Sequence, residues 1–279
     1  MELPIMHKFN KIILAGFLLL STVTVFGQET KKKKIAHRKG EVYAYWGWNR
    51  AYYGRSSIHF TGDNYNFTFH GVKGDDKPIG WNFHDFLNPG RVTIPQVNYR
   101  IGYFFKDNWA ISLGMDHMKY VVRPGQWVKS TGEINNPGYE NAIQDGEYMY
   151  LTDDFLHLEH TDGLNYLNAE IEYYHNFLEA GFFKLNGIAG GGLGVVIPKT
   201  NATLMDNERH DKFHLAGWGV DAKIGAELLF WKIFFLRTEL KEGFIGLPDI
   251  RTTSNKADKA SQNILYLQWN YTFGASWHF

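Results

Sequence analysis

Apolar and polar side chains alternate along the last segment of the chain. An apolar row begins at Leu265 and continues at every second position to Phe279, and the positions between are polar or small. Successive side chains of a β-strand point to opposite faces, so this row, 15 residues from end to end, predicts one long strand. Strands of soluble proteins have about five or six residues. Length and alternation together predict a strand of a transmembrane β-barrel, apolar toward lipid and polar toward the lumen.

The same alternation recurs upstream and predicts an antiparallel up-and-down barrel. The predicted strands are residues 41–52, 92–105, 109–122, 163–177, 184–197, 213–230, 233–245 and 263–279. Short connections alternate with long ones, which span residues 123–162, 198–211 and 246–262, as periplasmic turns alternate with extracellular loops. Residues 57–60 and 65–72 are interpreted as a hairpin within the first extracellular loop. The fold class is therefore all-β, a transmembrane barrel of eight strands; if both hairpin strands enter the wall, the count is ten.

Charged residues fall on the polar face of these strands and are absent from the middle of the apolar face. The predicted lumen charges are Arg100, Asp116, Glu170, Glu172, Asp221, Lys223, Glu227, Arg237, Glu239 and Lys241. An eight-stranded barrel is just wide enough for side chains to fill it. We therefore interpret these charges as a salt-bridged plug, with a narrow, mildly cation-favouring path for small solutes as the alternative.

The start of the chain has the pattern of a secretory signal peptide over residues 1–27. Lys8 and Lys11 precede the apolar run 12–20, and small residues precede a cleavage position before Gln28. Residues 28–40 are predicted to be a basic periplasmic tail, and residues 41–279 the outer-membrane β-barrel with long extracellular loops.

Composition narrows the function classes further. The 29 basic residues balance 29 acidic ones, which argues against a general nucleic-acid-binding protein, and aromatic residues at 16% argue against disorder. The absence of Cys excludes a disulfide framework, a thiolate metal site, a Cys nucleophile and a lipidated N-terminus. No cofactor is predicted.

The C-terminal strand is similar to the terminal strand of outer-membrane barrels. Tyr271, Phe273, Trp277 and Phe279 match the alternating aromatic pattern that the barrel-assembly machinery recognises. With the signal peptide, the chain resembles the small outer-membrane β-barrel superfamily of OmpA/OmpX type, which includes porin-like members. This resemblance implies the cell outer membrane of a Gram-negative bacterium, contact with outer-membrane lipid and lipopolysaccharide, and recognition by the assembly machinery. It implies no catalytic residues, because that superfamily includes sealed barrels, adhesins, small-solute channels and lipid-modifying enzymes.

Three other groups of residues are candidates for chemistry. His157, Glu159 and His160 in the longest loop have side chains that bind transition metals, although polar surface loops produce such groups by chance. A lipid-modifying enzyme needs a His with a Ser or Asp near the extracellular rim. The rim candidates are His70, His117, His214, Ser56, Ser57 and Ser130. The glycine-rich stretch Gly187–Gly194 lacks the context of a phosphate-binding loop and is interpreted as part of a strand.

Exposed aromatic residues are expected in two settings. Those near strand ends are assigned to the aromatic girdles: Trp46, Trp48, Trp109, Tyr120, Trp231 and Trp277. Those in loops could contact a glycan or protein, or pack the loops together: Trp81, Phe83, Phe86 and Trp127. The sequence thus predicts a structural or surface-interaction protein with a plugged lumen; the alternatives are a narrow porin and an outer-leaflet enzyme, and a surface partner is not identified.

Overall fold

The computed structural model describes residues 38–78 and 95–278. In chain order the strands of these residues are β1 (Glu41–Tyr53), β2 (Ser56–Gly62), β3 (Tyr65–Val72), β4 (Gly74–Asp75), β5 (Val97–Lys106), β6 (Trp109–Met118), β7 (Val121–Val122), β8 (Gln126–Ile134), β9 (Tyr148–Leu151), β10 (Leu156–Glu159), β11 (Leu164–Ala180), β12 (Phe183–Leu204), β13 (His210–Phe213), β14 (Gly217–Phe230), β15 (Phe234–Arg251) and β16 (Lys259–His278). No helix long and apolar enough to cross a membrane occurs in this part of the chain. The signal peptide, most of the basic tail, Trp81, Phe83, Phe86 and Phe279 lie outside the described residues.

Eight of the strands form a closed antiparallel ring. Its order is β1, β5, β6, β11, β12, β14, β15 and β16, with each strand paired to two neighbours. The ring closes where β1 pairs with β16, from Glu41 opposite His278 to Tyr53 opposite Tyr266. The predicted up-and-down barrel of eight strands is confirmed. The hairpin of β2 and β3 stays outside the ring, pairing with the far end of β16 and with β8.

The two ends of the ring differ. At one end, here called the turn end, short connections join β5 to β6, β11 to β12, and β14 to β15. At the other, here called the cap end, several strands run on beyond their predicted limits: β12 to Leu204 and β15 to Arg251, while β16 begins as early as Lys259. Much of the sequence that was predicted as loop is therefore strand.

These extensions and the remaining short strands form a folded unit, here called the cap (residues 56–78, 119–162, 199–213 and 247–262). On one side β2, β3, β8 and β9 continue the sheet from β16; on the other, β10, β7 and β4 continue it from β12. Apolar side chains from both sides meet in one buried core, in which the Phe67 ring contacts Phe155 from the segment before β10. The Phe67 ring lies 5.0 Å from Phe69 and 5.2 Å from Phe60. The long connections are thus packed β-structure.

Two faces divide the wall strands as the alternation predicts. The outward face is mostly apolar and exposed, as at Leu113, Leu193 and Leu265, with Glu242 of β15 as an exposed exception, while the inward face holds the paired charges together with buried polar and aromatic residues. Trp231 and Phe182 stack at 5.4 Å on the outside of the turn end, the position of an aromatic girdle. Tyr120 was assigned wrongly to the girdle. It is fully buried in the cap core, because β6 ends two residues earlier and the chain turns inward.

Candidate functional site in the barrel interior

The ten charges predicted to face the lumen lie inside the barrel, and none is more than 9% exposed. They form a layer between the cap core and the turn end, here called the charged layer. Nine of the ten take part in ion pairs with one another or with Arg38. Ion pairs in water-free surroundings are held only where geometry and extra hydrogen bonds compensate for desolvation, so the details of each contact matter.

Lys223 is one centre of the charged layer. Its Nζ lies 2.5 Å from Glu172 and 2.7 Å from Glu170. Glu239 is a third partner of the same Nζ, at 2.9 Å. The hydroxyl of Tyr43 also donates to the carboxylate of Glu172. One ammonium group therefore joins carboxylates from two different strands, β11 and β15.

Lys241 and Arg100 form a second centre nearer the cap. The Nζ of Lys241 lies 2.5 Å from Asp116 and 2.6 Å from Glu170. The guanidinium of Arg100 is 2.6 Å from Glu170 and also donates to the side chain of Asn168. Glu170 thus connects the two centres and is the most heavily paired carboxylate of the layer.

A third group of charges lies toward the turn end and includes Arg38, which the alternation of the strands does not predict as a lumen residue. Arg237 is 2.6 Å from Glu227. Arg38, which precedes β1, reaches the same carboxylate at 2.7 Å and also contacts Glu41 at 2.8 Å. Its guanidinium lies 4.1 Å from the centre of the Phe104 ring and is only 2% exposed. Arg38, near the end of the predicted basic tail, therefore lies inside the turn end of the barrel.

Aromatic rings surround the Arg237 guanidinium on the turn-end side of Lys223, and these four rings are here called the aromatic layer. The ring centres of Phe235, Tyr43 and Tyr45 lie 4.8, 4.9 and 5.0 Å from its Cζ. Tyr174 is the fourth ring, at 5.5 Å. Such cation–π contacts are stronger in desolvated surroundings. At this level the barrel interior is filled by aromatic rings and by the guanidinium group of Arg237.

Asp221 differs from the other nine charges. The hydroxyl of Tyr166 donates to its carboxylate at 2.9 Å, and no basic side chain among the described residues forms an ion pair with it. Tyr166 belongs to the cap core. Asp221 therefore marks the boundary between the charged layer and the cap.

The glycine-rich stretch Gly187–Gly194 lies in β12 and gives the glutamates room. A Cβ on Gly192 would come 2.6 Å from Cγ of Glu170, and one on Gly190 would come 3.3 Å from Cγ of Glu172. A Cβ on Gly192 would also lie 2.3 Å from the backbone oxygen of Ala169, so a larger residue there would displace either β11 or the Glu170 side chain. The role of these glycines is close packing.

The structure does not bring the three candidate metal ligands together. His157 lies 2.9 Å from Asp153 and 3.6 Å from Glu159. Glu159 has its closest contact with Lys77, at 2.7 Å. Burial raises the pKa of Glu159, but hydrogen bonds from Lys77 and Asn201 lower it more, to about 2.

His160 turns away from the other two, into the cap. It is fully buried, its Nδ1 lies 3.1 Å from the Thr200 hydroxyl, and its ring lies beside that of Tyr120. Burial lowers the pKa of His160 to about 4, so the imidazole is neutral at neutral pH. Within the described residues, no group of three His, Asp or Glu side chains is arranged to hold a metal ion.

The rim residues form hydrogen-bonded pairs. Ser57 lies 3.5 Å from Nδ1 of His70, whose Nε2 meets the hydroxyl of Thr131 at 2.7 Å rather than a carboxylate. His214 and Asp249 form a separate pair at 2.8 Å. Neither arrangement joins a serine, a histidine and a carboxylate by successive hydrogen bonds, as a catalytic triad does.

Three of the four residues assigned to barrel-assembly recognition lie on the outer face of β16. Tyr271, Phe273 and Trp277 are between 39% and 44% exposed, and Phe279 lies outside the described residues. Their recognition by the assembly machinery stays a prediction.

Comparison with solved structures finds small outer-membrane barrels at low similarity. Ail, the attachment invasion locus protein of Yersinia pestis, shares 11% identity at a TM-score of 0.31, over 86% of this chain and 99% of that one. Outer membrane protein OprG from Pseudomonas aeruginosa shares 11% at a TM-score of 0.36, over 88% and 99%. Neisserial surface protein A shares 9% at 0.33, over 84% and 99%. No family model and no curated protein matches the chain. The closed strand pairing and the apolar outer face, rather than these likenesses, identify the chain as a transmembrane β-barrel.

Proposed function

We propose that this outer-membrane β-barrel is sealed and has a structural or surface-interaction role. The observation that carries the proposal is the charged layer, in which nine of ten inward charges form ion pairs. A solute crossing this layer has to separate buried pairs and leave charges uncompensated in the interior; removing one partner of such a pair costs about 3–5 kcal/mol. The cap core above the charged layer and the aromatic rings packed around Arg237 block the interior further.

A surface role is supported by the outside of the cap. Trp127 on β8 and Tyr150 on β9 are 65% and 50% exposed, with ring centres 5.5 Å apart. Tyr148, two positions away on β9, is 66% exposed. Large aromatic side chains that are rigid and accessible are typical of binding surfaces. The cap therefore offers a packed platform for contact with molecules outside the cell.

Single-channel recording in a planar bilayer tests the seal. We expect a barrel that shows the heat-modifiable gel shift of a folded outer-membrane protein and no conductance. Discrete conductance steps would overturn the proposal, and a change of ion selectivity in Glu170→Gln or Lys223→Gln would identify the charged layer as a path.

Cysteine labelling on intact cells tests which end faces outward. The chain has no Cys, so single cysteines can be placed at Asp154, exposed in the cap, and at Lys106, exposed at the turn end. A membrane-impermeant maleimide is expected to label Asp154→Cys on intact cells and Lys106→Cys only after lysis. The reverse pattern would contradict a surface role for the cap.

A further inference from the structure

Asp221 is a buried carboxylate with two tyrosine rings beside it. The ring of Tyr166 lies across Gly219, where a Cβ would come 2.8 Å from it, and its hydroxyl donates to Oδ2 of Asp221 at 2.9 Å. The ring of Tyr266 lies across Gly243, where a Cβ would come 2.5 Å from the hydroxyl oxygen. Gly243 is the ladder partner of Asp221, and both face the interior. The Tyr266 hydroxyl therefore ends beside the carboxylate.

Several polar atoms at this level have no hydrogen-bond partner within the part of the chain that the structure describes. They are Oδ1 of Asp221, the hydroxyl of Tyr266 and both amide atoms of Gln268. Gln268 follows Tyr266 by two positions on the same inward face of β16. None of the three side chains belongs to a residue more than 9% exposed. Buried polar atoms are almost always bonded to protein, water or an ion, so these oxygens indicate a bound species.

The charges on the cap side of the charged layer do not balance. Its cations are Arg100 and Lys241, and its anions are Asp116, Glu170 and Asp221. Lys241 is shared between Asp116 and Glu170, at 2.5 and 2.6 Å, and Arg100 lies 2.6 Å from Glu170. Both cations are thus engaged by other carboxylates, and the negative charge in excess lies at Asp221. A buried charge without a counter-ion is costly, so this position attracts a positive charge from outside the chain.

The donor atoms select the class of cation. All of them are oxygens of carboxylate, phenol or amide groups, which suit hard cations rather than the transition metals that nitrogen and sulfur bind. Calcium sites in proteins usually contain several carboxylates, whereas Asp221 is the single carboxylate here. Carbonyl oxygens replace the hydration shell of potassium in channel filters. One excess negative charge and neutral oxygen donors therefore match a monovalent ion.

We propose that the barrel encloses one alkali-metal cation, sodium or potassium, bound at Asp221. Its ligands are Oδ1 of Asp221, the hydroxyl oxygen of Tyr266 and the amide oxygen of Gln268. Tyr166 holds the second carboxylate oxygen in place. The site lies between the charged layer and the cap core, so the cation enters as the barrel folds. This inference goes beyond the proposed function: binding is independent of the surface role, and only long retention of the ion depends on the seal.

Urea unfolding in lipid vesicles measures the binding, because an ion that binds only the folded barrel raises its stability with ion concentration. NaCl or KCl replaces choline chloride in separate series at constant ionic strength. Above the Kd, we expect the folding equilibrium constant to rise about tenfold for each tenfold increase of sodium or of potassium. The ion with the lower Kd is the preferred occupant. Equal stability in all three salts would overturn the site and leave a proton or water at Asp221.

Asp221→Asn keeps the shape of the side chain, removes its charge and should abolish this dependence. Tyr266→Phe keeps the charge, removes one ligand and should raise the required ion concentration about tenfold; it decides the question if Asp221→Asn shows no gel shift. Asp162→Asn is the matched control, since it removes an exposed carboxylate that pairs with Lys199, and it should behave as the unmodified protein. An unchanged dependence in Asp221→Asn, or an equal loss in Asp162→Asn, would overturn the proposal.

Rubidium, an alkali cation that is nearly absent from ordinary buffers, gives a direct count. Barrels folded in RbCl and transferred to rubidium-free buffer should retain about one rubidium per chain by elemental mass spectrometry, and Asp221→Asn should retain none. Equal retention by both would overturn the site. Rapid loss of rubidium from a barrel whose unfolding still depends on the cation would support the site and contradict the seal, so the two proposals fail separately.

Discussion

Replacing Lys223 with Met removes the cation that joins three carboxylates of the charged layer. Glu170 keeps Lys241 and Arg100 as partners, whereas Glu172 loses its ion pair and keeps hydroxyl donors. Leaving a buried charge without its counter-ion costs about 3–5 kcal/mol, so we expect Lys223→Met to lower the free energy of unfolding by that amount.

Two further variants separate loss of charge from loss of packing. Lys223→Met/Glu172→Gln removes both members of one pair, and we expect it to recover about half of the loss, which a double-mutant cycle measures directly. Lys199→Met is the exposed control. Lys199 pairs with Asp162 at 2.6 Å, but Asp162 is 62% exposed, and such surface pairs contribute about 1 kcal/mol or less.

Urea unfolding in lipid vesicles, followed by tryptophan fluorescence, gives the free energies, and the gel shift checks that each variant is folded. If the free energy of unfolding of Lys223→Met lies within about 1 kcal/mol of that of the unmodified protein, as we expect for Lys199→Met, then water solvates the carboxylates that have lost their counter-ion. The charged layer would then be wet, and the sealed interior would be refuted.

The cap and the aromatic layer lead to three more expectations. The pKa of His160 is about 4 in the folded cap and about 6.5 in the unfolded chain, so the unfolded chain binds the proton more strongly. As the pH falls from 6.5 to 4, the free energy of unfolding of the cap should therefore fall by about 1.4 kcal/mol per pH unit. His160→Gln should flatten this pH dependence in a protease-resistance assay. Phe67→Ala should cost about 3–5 kcal/mol and expose the cap to protease while the gel shift persists; an intact cap would contradict the assignment of Phe67 to a core. A Cβ on Gly102 would lie 2.2 Å from the Tyr43 ring, so Gly102→Ala should lower the urea midpoint by an amount equivalent to about 1–3 kcal/mol, whereas Gly54→Ala, with 3.5 Å of clearance, should not.

The strands of the barrel wall could be predicted because the alternation of apolar and polar residues depends only on neighbouring positions in the chain. Each strand has lipid on one face and the lumen on the other, so side chains alternate at every position and no knowledge of the partner strand is needed. β14 was predicted over residues 213–230 and spans Gly217–Phe230. The inward direction of the charges followed from the same alternation.

The cap and the pairing of charges depend on contacts between distant parts of the chain. β3 pairs with β8, so Phe69 lies opposite Ser130, and nothing in the short apolar segments of a long connection identifies such a partner. Lys241 and Asp116 meet across 125 residues. Arg38 was missed because a basic tail is ordinarily solvated, and only the folded barrel provides Glu227 and Phe104 as its surroundings.

The charged layer also has a consequence for membrane insertion. Arg38 and Glu227 are 189 residues apart, and the pairs Lys241–Asp116 and Lys223–Glu172 join strands that are not neighbours in the ring. A partly inserted sheet would expose several unpaired charges to hydrocarbon, each at a cost of several kcal/mol. Insertion and ring closure are therefore favourable only as one event. Once closed, the barrel has to break many buried pairs before any strand can leave, so its persistence in the membrane is set by a high unfolding barrier.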